Sequence, residues 1–297
     1  DAEDAGAYAM TKAQAIAVVR DAMRDPDLAG LHIVSGLHPT WTFEEYLDIV
    51  RALHETFPKL YIKGFTGVEI THFAKTSGLS VREVLTRLLQ AIAGGGAEIL
   101  SDRVRGRLCP KKATAAEWLA VQRTAHELGI RSNASMLYGH IETLEERVDH
   151  LLALRDLQDE TGGFLTFICF PFLPAHTELG QTVKQTSMWD DLRTLAISRL
   201  MLDNFPHIKA YWVMLTVPVA QVALGFGADD IDGTVHKETI LHDAGATSPE
   251  ALSEDRIIRI IREAGRVPAP CDCNYHILRR LEGKADFAPA AAARATY

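Results

Sequence analysis

The residues best placed to do chemistry fall in six short clusters, each following an apolar run. They are Ser35-Gly36-Leu37-His38-Pro39, Thr66-Gly67-Val68-Glu69, Gly94-Gly95-Gly96-Ala97-Glu98, Asn133 with Tyr138-Gly139-His140-Ile141-Glu142, Pro171-Phe172 with His176, and Asp229, Asp230 and Asp232 beside Gly233. His38 and His140 are the leading candidates, because loops at strand ends face a shared pocket. The three aspartates suit a divalent cation only if several oxygens converge; a turn or helix-start role fits them equally. Each cluster also has a plain structural reading. Gly36 and Gly139 permit tight strand-to-helix turns, and Glu142 suits the first turn of a helix. His54, His72, His126 and His150 lie in helical patterns and read as surface or packing residues. Cys109 and Cys169 read as packing residues. One chemistry open to this set is a metal-dependent hydrolase using His38, His140 and Asp232, which requires those side chains to meet at one ion.

The elements that must position these clusters are announced by capping boxes. Ser or Thr followed three residues later by Glu or Gln satisfies two orphan N–H groups at a helix start. The pattern occurs at Thr11…Gln14, Thr42…Glu45, Ser80…Glu83, Thr114…Glu117 and Thr143…Glu146, with starts 31, 38, 34 and 29 residues apart. Helical periodicity follows, as in Phe43, Tyr46, Leu47, Val50 and Leu53, or in Leu144, Val148, Leu151, Leu152 and Leu154. Short apolar runs predict strands at Leu31–Val34, Leu60–Phe65, Ala97–Leu100, Asn133–Tyr138, Phe164–Phe170 and Tyr211–Leu215, with a further one near Ala223–Phe226. Alternating strands and helices imply an α/β protein, a partial or closed (β/α) barrel. No GxGxxG or GxxxxGK[ST] is present, which disfavours Rossmann and P-loop readings. The box at Thr11 has no strand before it, so a first strand is expected upstream of Asp1. The run from Ile208 to Ala228 approaches membrane-span length but is broken by Lys209, Gln221, Pro218 and two glycines. It reads as a strand and a short helix, hence no membrane role.

The 297 residues carry a net charge of −8 and 4 cysteines. The acidic balance argues against a nucleic-acid partner, and the few cysteines exclude a disulfide scaffold and favour the cytoplasm. Residues 1–284 read as one barrel domain with a C-terminal helical extension. The alanine-rich residues 285–297 read as a disordered tail.

Several strings resemble one family. HIVSGLHP, KGFTGVEI, GGGAEIL, SNASMLYGHIET, RVDHLLALRDLQDETGGF, KAYWVML and GFGADDIDGT are similar to the radical S-adenosylmethionine enzymes of futalosine-dependent menaquinone biosynthesis. The resemblance spans about Tyr8 to about Leu281. SGLHP and MLYGHIET followed by RVDHLL point to the adenosyl-transferring branch; the dehypoxanthine futalosine cyclase branch more often reads GGVNP.

The resemblance implies a TIM-like barrel of the radical S-adenosylmethionine type. It implies one 4Fe-4S cluster held by a CxxxCxxC loop after the first strand, and S-adenosylmethionine as a consumed co-substrate. The expected reaction adds the 5′-deoxyadenosyl radical to 3-[(1-carboxyvinyl)oxy]benzoate, giving 6-amino-6-deoxyfutalosine. The implied partners are this small-molecule substrate with two carboxylates and an external one-electron reductant of flavodoxin or ferredoxin type. By resemblance, Ser35 and Gly36 contact the amino group of S-adenosylmethionine, Met136, Tyr138 and Gly139 belong to the adenine segment, and Glu98 contacts ribose. His38, Glu69, Asn133 and His140 are the expected catalytic residues. No metal ligand is expected within this chain, since no cysteine has the CxxxCxxC spacing; the cluster cysteines are expected upstream of Asp1. The competing expectation is a ligand-binding barrel without the cluster. A substrate with two carboxylates wants a cationic clamp, but Lys63 and Arg131 fall at predicted strand starts, on the wrong face, so no clamp is named.

Overall fold

The computed structural model describes residues 9–24, 28, 30–88, 95–235, 240–243 and 245–282. Residues 1–8, Gly94 and the 285–297 tail lie outside the described residues. The strands are β1 (Gly30–Ile33), β2 (Tyr61–Gly64), β3 (Ser132–Tyr138), β4 (Phe164–Pro171) and β5 (His207–Lys209). The helices are α1 (Lys12–Ala22), α2 (Phe43–Thr56), α3 (Gly67–Ser77), α4 (Val81–Leu88), α5 (Asp102–Leu108), α6 (Ala115–Glu127), α7 (Leu144–Thr161), α8 (Met188–Met201), α9 (Trp212–Leu215), α10 (Val217–Ala223), α11 (Ile240–Asp243) and α12 (Glu254–Glu263).

All five predicted capping boxes form. The third-position side chain accepts the N-cap N–H at Thr11 (2.8 Å), Thr42 (2.6 Å), Ser80 (2.8 Å), Thr114 (2.9 Å) and Thr143 (2.8 Å). Every pairing in the sheets is parallel. β1 pairs with β2, and β3, β4 and β5 lie side by side.

Three predicted strands differ from the structure. Residues 97–100 join no ladder, because side chains take the groups a neighbouring strand would take. Arg105 donates to the carbonyls of Gly96 and Ala97, Trp118 Nε1 donates to Gly95 O (3.2 Å), and the Leu100 N–H donates to His150 Nδ1 (3.0 Å). One backbone bond remains, Leu137 N–H to Glu98 O at 2.7 Å. The strand expected at Tyr211–Leu215 is instead helix α9, and the strand β5 precedes it. β5 was hidden because its inward residues, His207 and Lys209, are polar. The run Ala223–Phe226 closes α10 in a turn, with Phe226 N–H on Ala223 O (2.8 Å).

The outer face of the larger sheet carries Ala134, Met136, Tyr138, Phe167, Cys169 and Ile208, packed in one apolar cluster with Leu151 and Leu154 of α7 and Leu192 and Leu195 of α8. Burying each large side chain contributes about 2 kcal/mol. The expected apolar face of α7 is divided: Leu151 and Leu154 are buried, whereas Leu144, Val148 and Leu152 are exposed. Side chains on alternate positions, including Asn133 and Thr166, face the interior. The end where strands begin is covered by residues 271–278. Tyr275 stacks on His207 at 4.0 Å and donates to Asp230 Oδ2 (2.6 Å), while Tyr61 donates to Asn274 Oδ1 (3.0 Å). Among the described residues, no helix is long and apolar enough to cross a membrane.

Candidate functional site

The loop after β1 and the start of α3 are joined by one carboxylate. Glu69 is 2% exposed. Its Oε1 accepts from the Ser35 N–H (2.7 Å) and Ser35 hydroxyl (2.8 Å), and its Oε2 accepts from the Thr66 N–H (2.7 Å). Thr66 is the N-cap of α3, so Glu69 completes a sixth capping box. Burial raises the Glu69 pKa, and the bonds from Thr66 and Ser35 oppose that rise without cancelling it. Glu69 takes both donors of Ser35, and the Gly36 carbonyl accepts from the Tyr46 hydroxyl (3.5 Å). Gly36 meets nothing within 4 Å where a Cβ would stand, so the loop borders open space.

His38 is set by the same loop. Its Nδ1 accepts from the Trp41 N–H (3.2 Å) and the Thr40 N–H (3.3 Å), and its ring stacks on Trp41 at 4.9 Å. With Nδ1 accepting, the neutral ring carries its proton on Nε2. That N–H has no partner among the described residues and is available to a ligand.

The turn after β3 is held by a second buried carboxylate. Glu142 has a side chain 1% exposed. It accepts from the Gly139 N–H (2.6 Å), the His140 N–H (2.8 Å) and Arg147 Nε (2.8 Å). Burial alone pushes its pKa up; the His140 ring and the Gly139 and His140 amides outweigh burial and hold it down at about 2. Glu142 is therefore a clasp rather than an exposed helix-start residue. Arg147 extends the clasp to Thr194 (3.1 Å) on α8 and lies 5.0 Å over the Tyr138 ring. Gly139 is required here: its φ is +85°, and a Cβ would meet Thr186 Cγ2 at 2.3 Å.

His140 has no exposed side-chain surface. Its Nε2 donates to Leu137 O (2.9 Å), and its Nδ1 lies 2.7 Å from the Ile141 nitrogen and 2.8 Å from Glu142. Both ring nitrogens are thus engaged within the turn, which suits positioning rather than contact with substrate. Met136 and Tyr138 point outward into the core, and the Tyr138 hydroxyl donates to Asp191 Oδ1 (2.7 Å). Only their backbone borders the strand end. Glu98 stands in a left-handed conformation (φ +46°) after Gly96 (φ +80°), and its Oε1 pairs with Lys112 Nζ at 2.7 Å.

The interior holds a charged group. Lys63 is the third residue of β2 and its side chain faces inward, 3% exposed, donating to Asn133 Oδ1 (3.2 Å). This overturns the assignment of Lys63 to the wrong face; Arg131 is exposed at the start of β3. Next to Lys63, Lys209 pairs with Asp230 (3.2 Å) and with Asp232. Burial and Lys209 lower the Lys63 pKa to about 8. His32 is the register partner of Lys63 and senses Lys63, Asp232 and Lys209, so it shares the inward face. Burial first, and then Lys63, lowers its pKa to about 4.

The structure therefore joins Ser35 with Glu69, and Asn133 with Lys63. It holds His140 and Gly139 together in the Glu142 clasp, and it places Glu98 beside Lys112. The aspartates are held by side chains of the protein itself: Asp229 pairs with Arg199 (2.6 Å) and lies 2.6 Å from His207 Nδ1. Among the described residues, no three His, Cys, Asp or Glu side chains meet at one metal site, so His38, His140 and Asp232 do not converge. Sequence reasoning weighs Lys63 and sets it aside, and it misses Arg105 and Arg147. For Lys63 the signal was present, a lone cation inside an apolar strand run.

The CofH/MqnC C-terminal region family matches residues 161–282. The aminodeoxyfutalosine synthase of Thermus thermophilus is 50% identical over 261 residues, covering 86% of this chain and 70% of the relative. The 5-amino-6-(D-ribitylamino)uracil–L-tyrosine 4-hydroxyphenyl transferase of Archaeoglobus fulgidus is 42% identical over 253 residues, covering 84% of this chain and 74% of the relative. The crystal structure of methylornithine synthase (PylB) superposes with a TM-score of 0.64 at 15% identity, over 90% of this chain and 76% of that one. That likeness shows a TIM-like fold shared with radical S-adenosylmethionine enzymes. With half its residues identical over most of its length, this chain belongs to the radical S-adenosylmethionine family that includes aminodeoxyfutalosine synthase.

Proposed function

We propose that the protein transfers the 5′-deoxyadenosyl group of S-adenosylmethionine to 3-[(1-carboxyvinyl)oxy]benzoate, giving 6-amino-6-deoxyfutalosine. The observation that carries this reading is the 50% identity to aminodeoxyfutalosine synthase, against 42% to the hydroxyphenyl transferase. In the net change, one electron from the reductant breaks the C–S bond to the 5′ carbon, releasing methionine, and a bond forms from that carbon to the enolpyruvyl CH2. The aryl group moves from the ether oxygen to the adjacent carbon, that oxygen becomes a ketone, and the enolpyruvyl carboxylate leaves as CO2 or bicarbonate, returning the electron.

An iron–sulfur cluster is implied by the family, and the described cysteines do not fit one. Cys109 is buried at the end of α5, and Cys169 is fully buried against Ser198 (3.5 Å), its thiol pushed up to about 12 by burial. Cys271 and Cys273 are only two ligands, two residues apart.

The residues do fit S-adenosylmethionine. The Ser35-Gly36 loop borders its ammonium, and Glu69 is the positioning residue that holds the loop. The backbone of Met136, Tyr138 and Gly139 borders the adenine, with His140 positioning that turn. Glu98 stands near the ribose. His38 donates its Nε2–H to a carboxylate or hydroxyl of the bound molecules. Asn133 contacts substrate from inside the barrel. We take the two sheets as arcs of one partial barrel within a single domain, residues 1–284, acting in the cytoplasm with a flavodoxin- or ferredoxin-type reductant.

The test is product analysis. Full-length, cluster-reconstituted enzyme given S-adenosylmethionine, a reductant and the enolpyruvyl benzoate is expected to yield an adenosyl adduct that has lost CO2. A cyclised product from dehypoxanthine futalosine, with no adduct from the benzoate, would assign the chain to the cyclase branch instead.

A further inference from the structure

Lys63 is a buried cation whose charge is favoured only from a distance, by Cys273, Asp232 and Asp230. Among the described residues its ammonium has one hydrogen-bond acceptor, the neutral Asn133 Oδ1 at 3.2 Å, and no carboxylate at ion-pair distance. An ammonium offers three donors, so two are unfilled. The carboxylates nearby are committed elsewhere. Asp230 and Asp232 both hold Lys209, and Asp230 also accepts the Tyr275 hydroxyl (2.6 Å) and the Asp232 N–H (2.7 Å). Leaving a charge in this state inside a protein is costly unless something else supplies the opposite charge.

We propose that Lys63, oriented by Asn133, binds the aromatic carboxylate of the substrate. The choice of substrate rests on the function proposed above; the anion site itself does not. Depth selects the aromatic carboxylate. Ser35 and Glu69 lie beyond the ends of β1 and β2, whereas Lys63 lies within β2. The alkene must sit near the strand ends, where the adenosyl carbon arrives. The benzoate carboxylate, at the opposite end of the molecule, then falls toward Lys63. A carboxylate fills the empty donors and keeps the ammonium charged, against the burial that lowers its pKa to about 8.

The experiment compares 3-[(1-carboxyvinyl)oxy]benzoate with its benzamide counterpart by calorimetry, on wild type and on Lys63→Met, with S-adenosylmethionine affinity as a control. Wild type is expected to prefer the carboxylate by about 100-fold, the loss typical of one buried charged partner. Lys63→Met is expected to lose that preference while binding S-adenosylmethionine as before. Its melting temperature is expected to hold or rise, because an apolar isostere replaces an unpaired buried charge; a lysine that serves only the fold would lower it. A preserved preference in Lys63→Met, or none in wild type, overturns the proposal. Failure to form an adenosyl adduct while the preference follows Lys63 would instead sink the functional reading and leave the anion site standing.

Discussion

Replacing Glu142 by Gln tests whether the turn after β3 is held by a buried charge. Glu142→Gln keeps the shape but turns an NH2 toward one of three donors, the Gly139 N–H, the His140 N–H or Arg147 Nε. The carboxyl is lowered from 4.5 to about 2 in the fold. Each tenfold change in proton affinity is worth about 1.4 kcal/mol, so the ionised carboxylate contributes about 3 kcal/mol at neutral pH. His140 Nδ1 accepts the Ile141 N–H (2.7 Å), so the neutral ring adds nothing to this, and the amides and Arg147 alone supply about 2 kcal/mol. The sign follows from the lowered pKa. The contribution is fully present above the ordinary value of 4.5 and is lost as pH falls through about 2. About half is gone by about pH 3.5. Urea denaturation of wild type and variant across this range is the assay. The account expects a gap of about 2 kcal/mol at pH 7 that narrows by about half near pH 3.5. A gap under about 0.5 kcal/mol at pH 7, the size of an ordinary surface change, would refute the clasp. So would a gap that stays constant on acidification.

Two further substitutions address the loop after β1. Glu69→Gln satisfies Ser35 or Thr66 but not both, so it is expected to cost about 1–2 kcal/mol of stability and to weaken S-adenosylmethionine binding about tenfold; unchanged affinity in calorimetry would remove its positioning role. Because the Glu69 pKa is raised, its ionisation works against folding, so the wild-type contribution is largest at acid pH and falls as pH rises through the folded value. His38→Ala is expected to abolish turnover with an unchanged melting temperature, since the ring bonds only its own loop; wild-type activity would exclude the role.

Helix starts were legible because a capping box is local chemistry. Five were read correctly, and the sixth, Thr66…Glu69, follows the same rule. Its glutamate caps the helix and also ties the Ser35 loop to the helix start. Strands were legible where they are apolar. The segment at 97–100 was not, because Arg105, Trp118 and His150, all distant from the eye of a local reading, replace its ladder. β5 was displaced by one element because interior polar residues break the apolar run that announces a buried strand. Lys63 reads in the sequence as lying at a strand start, the end away from the site, whereas in the structure it is the third of the four residues of β2 and is buried. The resemblance names segments, but it does not show that His140 is sealed inside its turn or that Met136 and Tyr138 point into the core.

The most direct measurement follows carbon from S-adenosylmethionine labelled with 13C at the 5′ position. Full-length, cluster-reconstituted enzyme, supplied with a reductant and 3-[(1-carboxyvinyl)oxy]benzoate, is incubated and the products are separated by mass. The account predicts that the label appears covalently in an adenosyl–benzoate product lacking the enolpyruvyl carboxylate. Recovery of the label solely as free 5′-deoxyadenosine, with the benzoate intact, would contradict it.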